Sequence, residues 1–230
     1  AFIKIKPREA MLLPLADTSE GTLAVVAFRQ IAAFCKRADV LAIGPGLTGQ
    51  KQTQGLIRKV IGTCSCRKVI DADGLNALAG HLKILSKGKG DRVLTPHPGE
   101  MARLLGSTVQ AVQKNRKKIA KDFANRYNII LVLKGFGTLV AGRKKPLYVN
   151  KTGNPGMAKG GSGDVLTGII AAFMAQGLDA YDAAKYGAYL HGVAGDIAAR
   201  KKTQLSMTAG DIIASIPSAI KKCSKDIVPA

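Results

Sequence analysis

The stretch 150–167, N-K-T-G-N-P-G-M-A-K-G-G-S-G-D-V-L-T, carries the most legible chemistry in this sequence. Gly153, Gly156, Gly160, Gly161 and Gly163 crowd a short polar segment, and an apolar helical pattern follows at once through Val165, Leu166, Ile169, Ile170 and Phe173. Glycines let the backbone approach a ligand closely and turn several N–H groups one way. A helix that starts beside them adds the positive end of its dipole. The combination suits an anion, most often a phosphate, although a Gly-rich loop before a helix is often only a tight turn. Asp164 falls in the first turn of that helix. A carboxylate there is either a helix cap or a base held beside a phosphate.

Further polar groups follow short apolar runs. Lys134 leads into Gly135-Phe136-Gly137-Thr138 after the β-like run N-I-I-L-V-L. It is either a nucleotide or ring contact or a solvated lysine at a strand end. Thr138 can hydrogen-bond a nucleotide or simply begin the next strand. His97 stands between two prolines in P-H-P-G-E, a rigid turn that fixes its imidazole where it can orient a substrate. Glu100 can hold Mg2+ through water or cap a helix, and Asp71 and Asp73 face the same choice. Asn76 and Asn154 are amide donors in these loops. His191 lies in an apolar helical context with Tyr189, Leu190 and Val193 and reads as a satisfied core histidine, with Tyr186 and Tyr189 as packing residues.

The elements that must position these groups alternate between strand and helix. Strands are expected over 2–6, 38–43, 67–70, 92–95 and 128–133, with a hairpin over 139–141 and 147–149. Helices are expected over 22–36, 53–63, 75–79, 99–105, 108–126, 163–176, 180–200 and 209–222. This alternation indicates a parallel sheet covered on both faces. In such sheets ligands bind outside the carboxyl ends of the strands. The clusters Gly44-Pro45-Gly46, Asp71–Asp73, His97–Glu100 and Lys134–Thr138 all follow strands directly, so they converge with the glycine loop on one cleft. No repeat, low-complexity tract or linker divides the chain.

The bulk numbers are compatible with such a domain. The 230 residues are 47% apolar, enough for a real core. No run reaches the roughly 18 continuous apolar residues of a membrane span, and the N-terminus lacks the pattern of a secretory signal. Cys35, Cys64, Cys66 and Cys223 form no C-x-x-C pair, so reduced thiols in a soluble cytoplasmic protein are expected. The net charge of +20 is dispersed over helix faces and turns without interleaved aromatics. It reads as a solvated basic surface that favours an anionic substrate rather than as a nucleic-acid site.

Taken together, these motifs resemble the ADP- or ATP-dependent NAD(P)H-hydrate dehydratases. The matching stretches are A-I-G-P-G-L at 42–47, I-D-A-D-G-L-N at 70–76, L-T-P-H-P-G-E at 94–100, L-K-G-F-G-T at 133–138, the glycine loop through Gly168, Y-L-H-G at 189–192 and S-M-T-A-G-D-I-I at 206–213. The resemblance implies a ribokinase-like α/β fold, three-layer αβα with a mostly parallel sheet, as a single domain over 1–230. It implies nucleotide-dependent dehydration of hydrated NADH or NADPH, with Mg2+ and with ADP or ATP as co-substrate, in a cytoplasmic homotetramer. Asp164 corresponds to the catalytic base. Gly46, His97 and Asp164 would contact the hydrated cofactor. Lys134, Gly135, Phe136, Gly137, Thr138, Asn154, Gly161, Ser162 and Gly163 would contact the nucleotide, and Glu100 would reach the metal through water. Ser162 replaces the family's usual Thr and keeps its hydroxyl, and Lys159 stands where Thr is common. Family members carry a further N-terminal βα region with a G-S-x-x-x-x-G-A turn that contributes to the substrate pocket, and the domain is expected to be incomplete there. The competing readings are a ribokinase-like vitamin-precursor kinase and an inactive basic module bound to RNA or a larger assembly.

Overall fold

The computed structural model describes residues 10–87 and 90–227. The strand expected over 2–6 lies outside them. The described strands are β1 Val40–Ile43, β2 Arg67–Ile70, β3 Arg92–Leu94, β4 Ile130–Leu133, β5 Leu139–Ala141 and β6 Tyr148–Val149. The helices are α1 Phe28–Cys35, α2 Lys51–Thr63, α3 Ala72–Leu78, α4 Lys83–Lys87, α5 Pro98–Leu105, α6 Val109–Lys114, α7 Arg116–Tyr127, α8 Ser162–Ala175, α9 Ala180–Lys202 and α10 Ala209–Ile227.

The strands form one mixed sheet in sequential order. β1 to β4 run parallel, and β5 and β6 add an antiparallel hairpin. Both faces are covered, which the strand sequences dictate by their alternation. Val69, Val93, Val132 and Val140 point to one side and meet α8 and α9. Their neighbours Ile70, Leu94, Leu131, Leu133 and Leu139 point to the other and meet α2 to α7. A third apolar cluster joins α8, α9 and α10 through Val165, Ile169, Leu190, Val193 and Ile212. Among the described residues no helix is long and apolar enough to cross a membrane.

Several expected boundaries shift for local reasons. The helix expected over 22–36 begins later, because Leu23 bridges Asp17 and a short 3-10 turn, Val25–Ala27, precedes α1. α3 starts at Ala72, not at residue 75, with Asp71 as its N-cap. The expected helix over 108–126 is broken at Asn115 into α6 and α7, and α4 was not anticipated. All four cysteines are buried, and none is paired with another in a disulfide. Burial, together with the neighbouring Cys66 and Cys64, pushes the Cys35 thiol up to about 12, so it stays protonated.

Glycine provides the close approaches that bring the loops onto the sheet edge. Gly44 has φ +134°, and a Cβ there would lie 1.7 Å from the Asp71 carbonyl oxygen. On α9, a Cβ at Gly192 would lie 2.1 Å from Thr152 Oγ1 and 2.6 Å from the Thr152 carbonyl carbon. Gly192 therefore lets α9 seat the start of the glycine loop. Gly192→Ala is expected to cost about 1–3 kcal/mol through overpacking against backbone, read as a lower urea midpoint with an unchanged slope. A wild-type midpoint would show that the loop yields freely.

Candidate active site

The ladder hydrogen bonds continue past the strand ends and set the loops side by side. Asp71 N–H donates to Ile43 O at 3.1 Å, Thr95 N–H to Ile70 O at 3.1 Å, and Lys134 N–H to Pro96 O at 2.8 Å. The carboxyl ends of β1, β2, β3 and β4 thus form one polar edge, as the sequence led us to expect.

Asp71 is the joint of that edge. It is 1% exposed and does not cap α3 with its side chain. Instead its Oδ1 accepts from Lys134 Nζ at 2.7 Å and its Oδ2 from Thr167 Oγ1 at 3.0 Å. The pair therefore ties β2, β4 and α8 together. Lys134 Nζ also lies 3.8 Å from Glu100 Oε2. A Cβ on Gly163 would lie 3.1 Å from Lys134 Nζ, so the ammonium is set directly against the first turn of α8. The solvated-lysine reading of Lys134 does not hold, since its side chain is only 18% exposed.

The P-H-P-G-E turn is a reciprocal cap of α5. His97 Nδ1 accepts from Gly99 N–H at 3.0 Å and Glu100 N–H at 3.2 Å, while Glu100 Oε2 accepts from His97 N–H at 2.7 Å. His97 Nε2 faces Glu100 Oε1 at 3.5 Å, and its side chain remains 54% exposed at the polar edge. The ring is thus fixed by one nitrogen while half its surface faces solvent. Asp73 lies in the first turn of α3. Its Oδ2 accepts from Thr48 N–H at 2.8 Å and its Oδ1 from Asn76 Nδ2 at 3.1 Å, pinning the Gly44–Gly46 turn to α3. Gly46 itself is exposed, at φ +73°, with open space around it.

At α8 the N-cap is Gly161 in a left-handed conformation, with no side-chain cap. The backbone N–H groups of Gly163 and Asp164 meet no protein acceptor among the described residues, whereas Ser162 N–H reaches Lys159 O at 3.3 Å. Free donors at a helix start are an anion site. Asp164 is exposed, and among the described residues nothing binds its carboxylate. The helix-cap alternative for Asp164 is therefore not realised. Lys159 is committed elsewhere, its Nζ donating to Leu205 O and Met207 O at 2.6 Å each.

Two residues reach the site that their sequence context hid. Arg116, one cation of a basic run, turns its guanidinium inward. Nη1 donates to Phe136 O at 2.6 Å, and Nη2 to Leu133 O at 3.1 Å, Lys134 O at 3.3 Å and Gly137 O at 3.4 Å. It holds the Lys134–Thr138 turn, which Thr138 Oγ1 closes on Gly135 O at 3.0 Å, and the Phe136 ring is left 99% exposed. A carbonyl clamp of this kind leaves no local sequence signal. His191 is the second. Its Nε2 lies 3.3 Å from Ser162 Oγ. Burial, with a smaller push from the Lys134 charge, holds its pKa down to about 4, against an opposing hydrogen bond with the Ser162 backbone.

Asn154 stands apart from this group. Its Oδ1 caps the turn Pro155–Met157 through Gly156 N–H, and its Nδ2 donates to Asp196 Oδ1 at 2.9 Å. It lines a cleft of about 380 Å3 with Asp196, Ala199, Arg200 and Gln204. Among the described residues no group of three or more His, Cys, Asp or Glu side chains could hold a metal ion. A metal at the polar edge would need oxygens from a ligand or water.

Comparison with known proteins gives this geometry a context. Residues 10–218 match the profile of a family described as NAD(P)H-hydrate dehydratase. The bifunctional NAD(P)H-hydrate repair enzyme Nnr of Moorella thermoacetica is 44% identical over 226 residues, 98% of this chain and 43% of that protein. The chain thus spans less than half the length of that relative. A Bacillus subtilis ADP/ATP-dependent NAD(P)H-hydrate dehydratase, co-crystallised with ATP and Mg2+, superposes with a TM-score of 0.74 at 32% identity, over 85% of this chain and 69% of that one. An Enterococcus faecalis ribokinase-like superfamily protein superposes with a TM-score of 0.70 at 28% identity, over 86% of this chain and 68% of that one. The fold is ribokinase-like.

The buried pair generates a specific expectation. Asp71→Asn leaves the Lys134 ammonium without its carboxylate and should destabilise the protein by about 3 kcal/mol. Adding Lys134→Met to Asp71→Asn should recover part of that loss in urea unfolding. Equal stability of the single variant and the wild type would mean the pair does not join the loops energetically.

Proposed function

The chain belongs to the NAD(P)H-hydrate dehydratase family, and from that premise we propose that it restores hydrated NADH or NADPH to the reduced cofactor at the expense of ADP or ATP. The observation that carries the reading is the first turn of α8. Two free N–H donors, the Lys134 ammonium beside Gly163 and an unengaged Asp164 carboxylate stand within one turn of helix. A phosphoryl acceptor, a phosphoryl group and a base are what such a turn can bring together.

Hydroxide is a poor leaving group and phosphate a good one, which explains the need for a nucleotide. Asp164 takes the proton of the ring hydroxyl as that oxygen attacks the terminal phosphorus. The bond from phosphorus to the nucleotide breaks, releasing ADP from ATP or AMP from ADP. The C–O bond of the ring then breaks, phosphate departs, and loss of a ring proton restores the double bond. Gly163 N–H, Asp164 N–H and the Ser162 hydroxyl stabilise the oxygens of the transferring group. Lys134 adds a fixed positive charge at Gly163.

The remaining roles follow position. The turn Lys134–Thr138, held open by Arg116, receives the adenine nucleotide together with Gly161, Ser162 and Gly163, and Asn154 supports the same loop from its α9 side. Gly46, with open space above it, and the exposed edge of His97 receive the hydrated cofactor. Mg2+ fits at the level of one carboxylate. Glu100 Oε1, which accepts from no backbone N–H but faces His97 Nε2 at 3.5 Å, would reach the ion through water, and a magnesium ion commonly binds through one carboxylate, waters and substrate phosphates. When bound it would neutralise phosphate charge. A cytoplasmic setting, assembly as a homotetramer and a single ribokinase-like domain over 1–230 complete the reading.

Incubation with hydrated NADH, ADP or ATP and Mg2+ should return the absorbance of reduced nicotinamide, at a rate that vanishes in Asp164→Asn while ADP affinity changes less than about threefold. Phosphorylation of an unrelated alcohol with no return of absorbance would favour a small-molecule kinase. Full turnover by Asp164→Asn would remove Asp164 as the base.

A further inference from the structure

Ser162 opens α8, but it does not serve the anion site through its backbone. Its N–H is directed to Lys159 O at 3.3 Å, while Gly163 N–H and Asp164 N–H remain available. Any contribution of Ser162 to a bound phosphate therefore comes from its hydroxyl. That hydroxyl carries one proton and two acceptor lone pairs, whereas a phosphate oxygen only accepts. Ser162 is 6% exposed, so its Oγ has few alternatives to His191 Nε2 at 3.3 Å.

The direction of that hydrogen bond decides what Ser162 can do. If Oγ–H donates to Nε2, the hydroxyl proton is consumed and only lone pairs face the phosphate. If Nε2–H donates to Oγ, the hydroxyl proton is released to point at the phosphate. A charge-assisted O–H···O− bond is roughly twice as strong as a neutral one, so an arriving phosphate selects the second arrangement. The burial that pushes the pKa of His191 down to about 4 keeps the ring neutral, with one N–H to commit. The surrounding part of α9 is anchored as well. Thr152 Oγ1 donates to Tyr189 O at 2.9 Å, and Asn150 Nδ2 to Ala188 O at 3.1 Å, so α9 grips the glycine loop on the turn that carries His191.

We propose that His191 is a positioning residue that donates from Nε2 to Ser162 Oγ and so holds the Ser162 hydroxyl as a donor to the nucleotide's phosphate. The role rests on the nucleotide-dependent reading above, and it acts through Ser162 alone. His191 touches neither the ring nor the phosphorus.

A double-mutant cycle tests it, with His191→Leu, His191→Gln and Ser162→Ala measured both for ADP·Mg2+ affinity by calorimetry and for turnover of hydrated NADH. His191→Leu should lose about tenfold in affinity or kcat in the Ser162 background, and less than about twofold once Ser162 is Ala. His191→Gln, whose side-chain amide again offers a donor, should recover most of the loss. Thermal unfolding of each variant identifies one that has failed to fold, in which case His191→Met, which also lacks a donor, takes the place of the Leu variant in the cycle. Additive losses in the Ser162→Ala background, or a Gln variant as impaired as Leu, would overturn the role. Nucleotide binding with a coupled cycle but no return of reduced nicotinamide would instead sink the dehydratase reading and leave this inference standing.

Discussion

One buried ion pair carries the architecture of the site. Asp71 at the end of β2 and Lys134 at the end of β4 meet across β3 at 2.7 Å. Two charges taken from water need good geometry and further hydrogen bonds to be tolerated. Thr167 supplies one of those bonds from α8, and Glu100 stands near enough to Lys134 to share its field. The pair therefore fixes the distance between the sheet edge and the first turn of α8. Without it the ammonium would have no reason to sit against Gly163, and the free N–H groups of that turn would face the cleft alone.

Around this pair the other devices limit freedom rather than add affinity. His97 and Glu100 cap each other, which restrains the P-H-P-G-E turn. Arg116 gathers the carbonyls of Leu133, Lys134, Phe136 and Gly137 about one planar fork, a geometry that a lysine cannot reproduce. Gly44 and Gly192 remove the side chains that would keep loops away from the sheet edge and from α9. Preorganisation of this kind is what phosphoryl transfer needs, because catalysis there is largely positioning and electrostatics.

Much of this was legible in the sequence, for physical reasons. Strand identity followed from β-branched and apolar runs buried on both faces, and the polar clusters after them fell on the carboxyl edge that a parallel sheet dictates. The glycine loop and its helix were explicit in composition. The partners of the charges were not. Asp71 and Lys134 lie 63 residues apart in sequence, and nothing local to either announces a pair. Arg116 sits in a run with Lys114, Lys117 and Lys118 that looks uniformly solvated, yet α7 begins at Arg116 and turns that one cation toward the Lys134 loop. His191 has the apolar neighbours of a core histidine, and only the packing of α9 on α8 shows that it reaches Ser162. α3 begins earlier than its apolar pattern suggests, at Ala72, whose left-handed φ of +46° is a conformation that alanine does not advertise.

The proposed chemistry turns on whether the ring hydroxyl itself receives the phosphoryl group, and that oxygen can be followed directly. Hydrated NADH carrying a heavy oxygen isotope at the ring hydroxyl would be turned over with ATP and Mg2+, and the products analysed by mass spectrometry. Attack by the hydroxyl on phosphorus, assisted by Asp164 at the start of α8, predicts that the label appears in inorganic phosphate. Label recovered in water, with unlabelled phosphate, would contradict it.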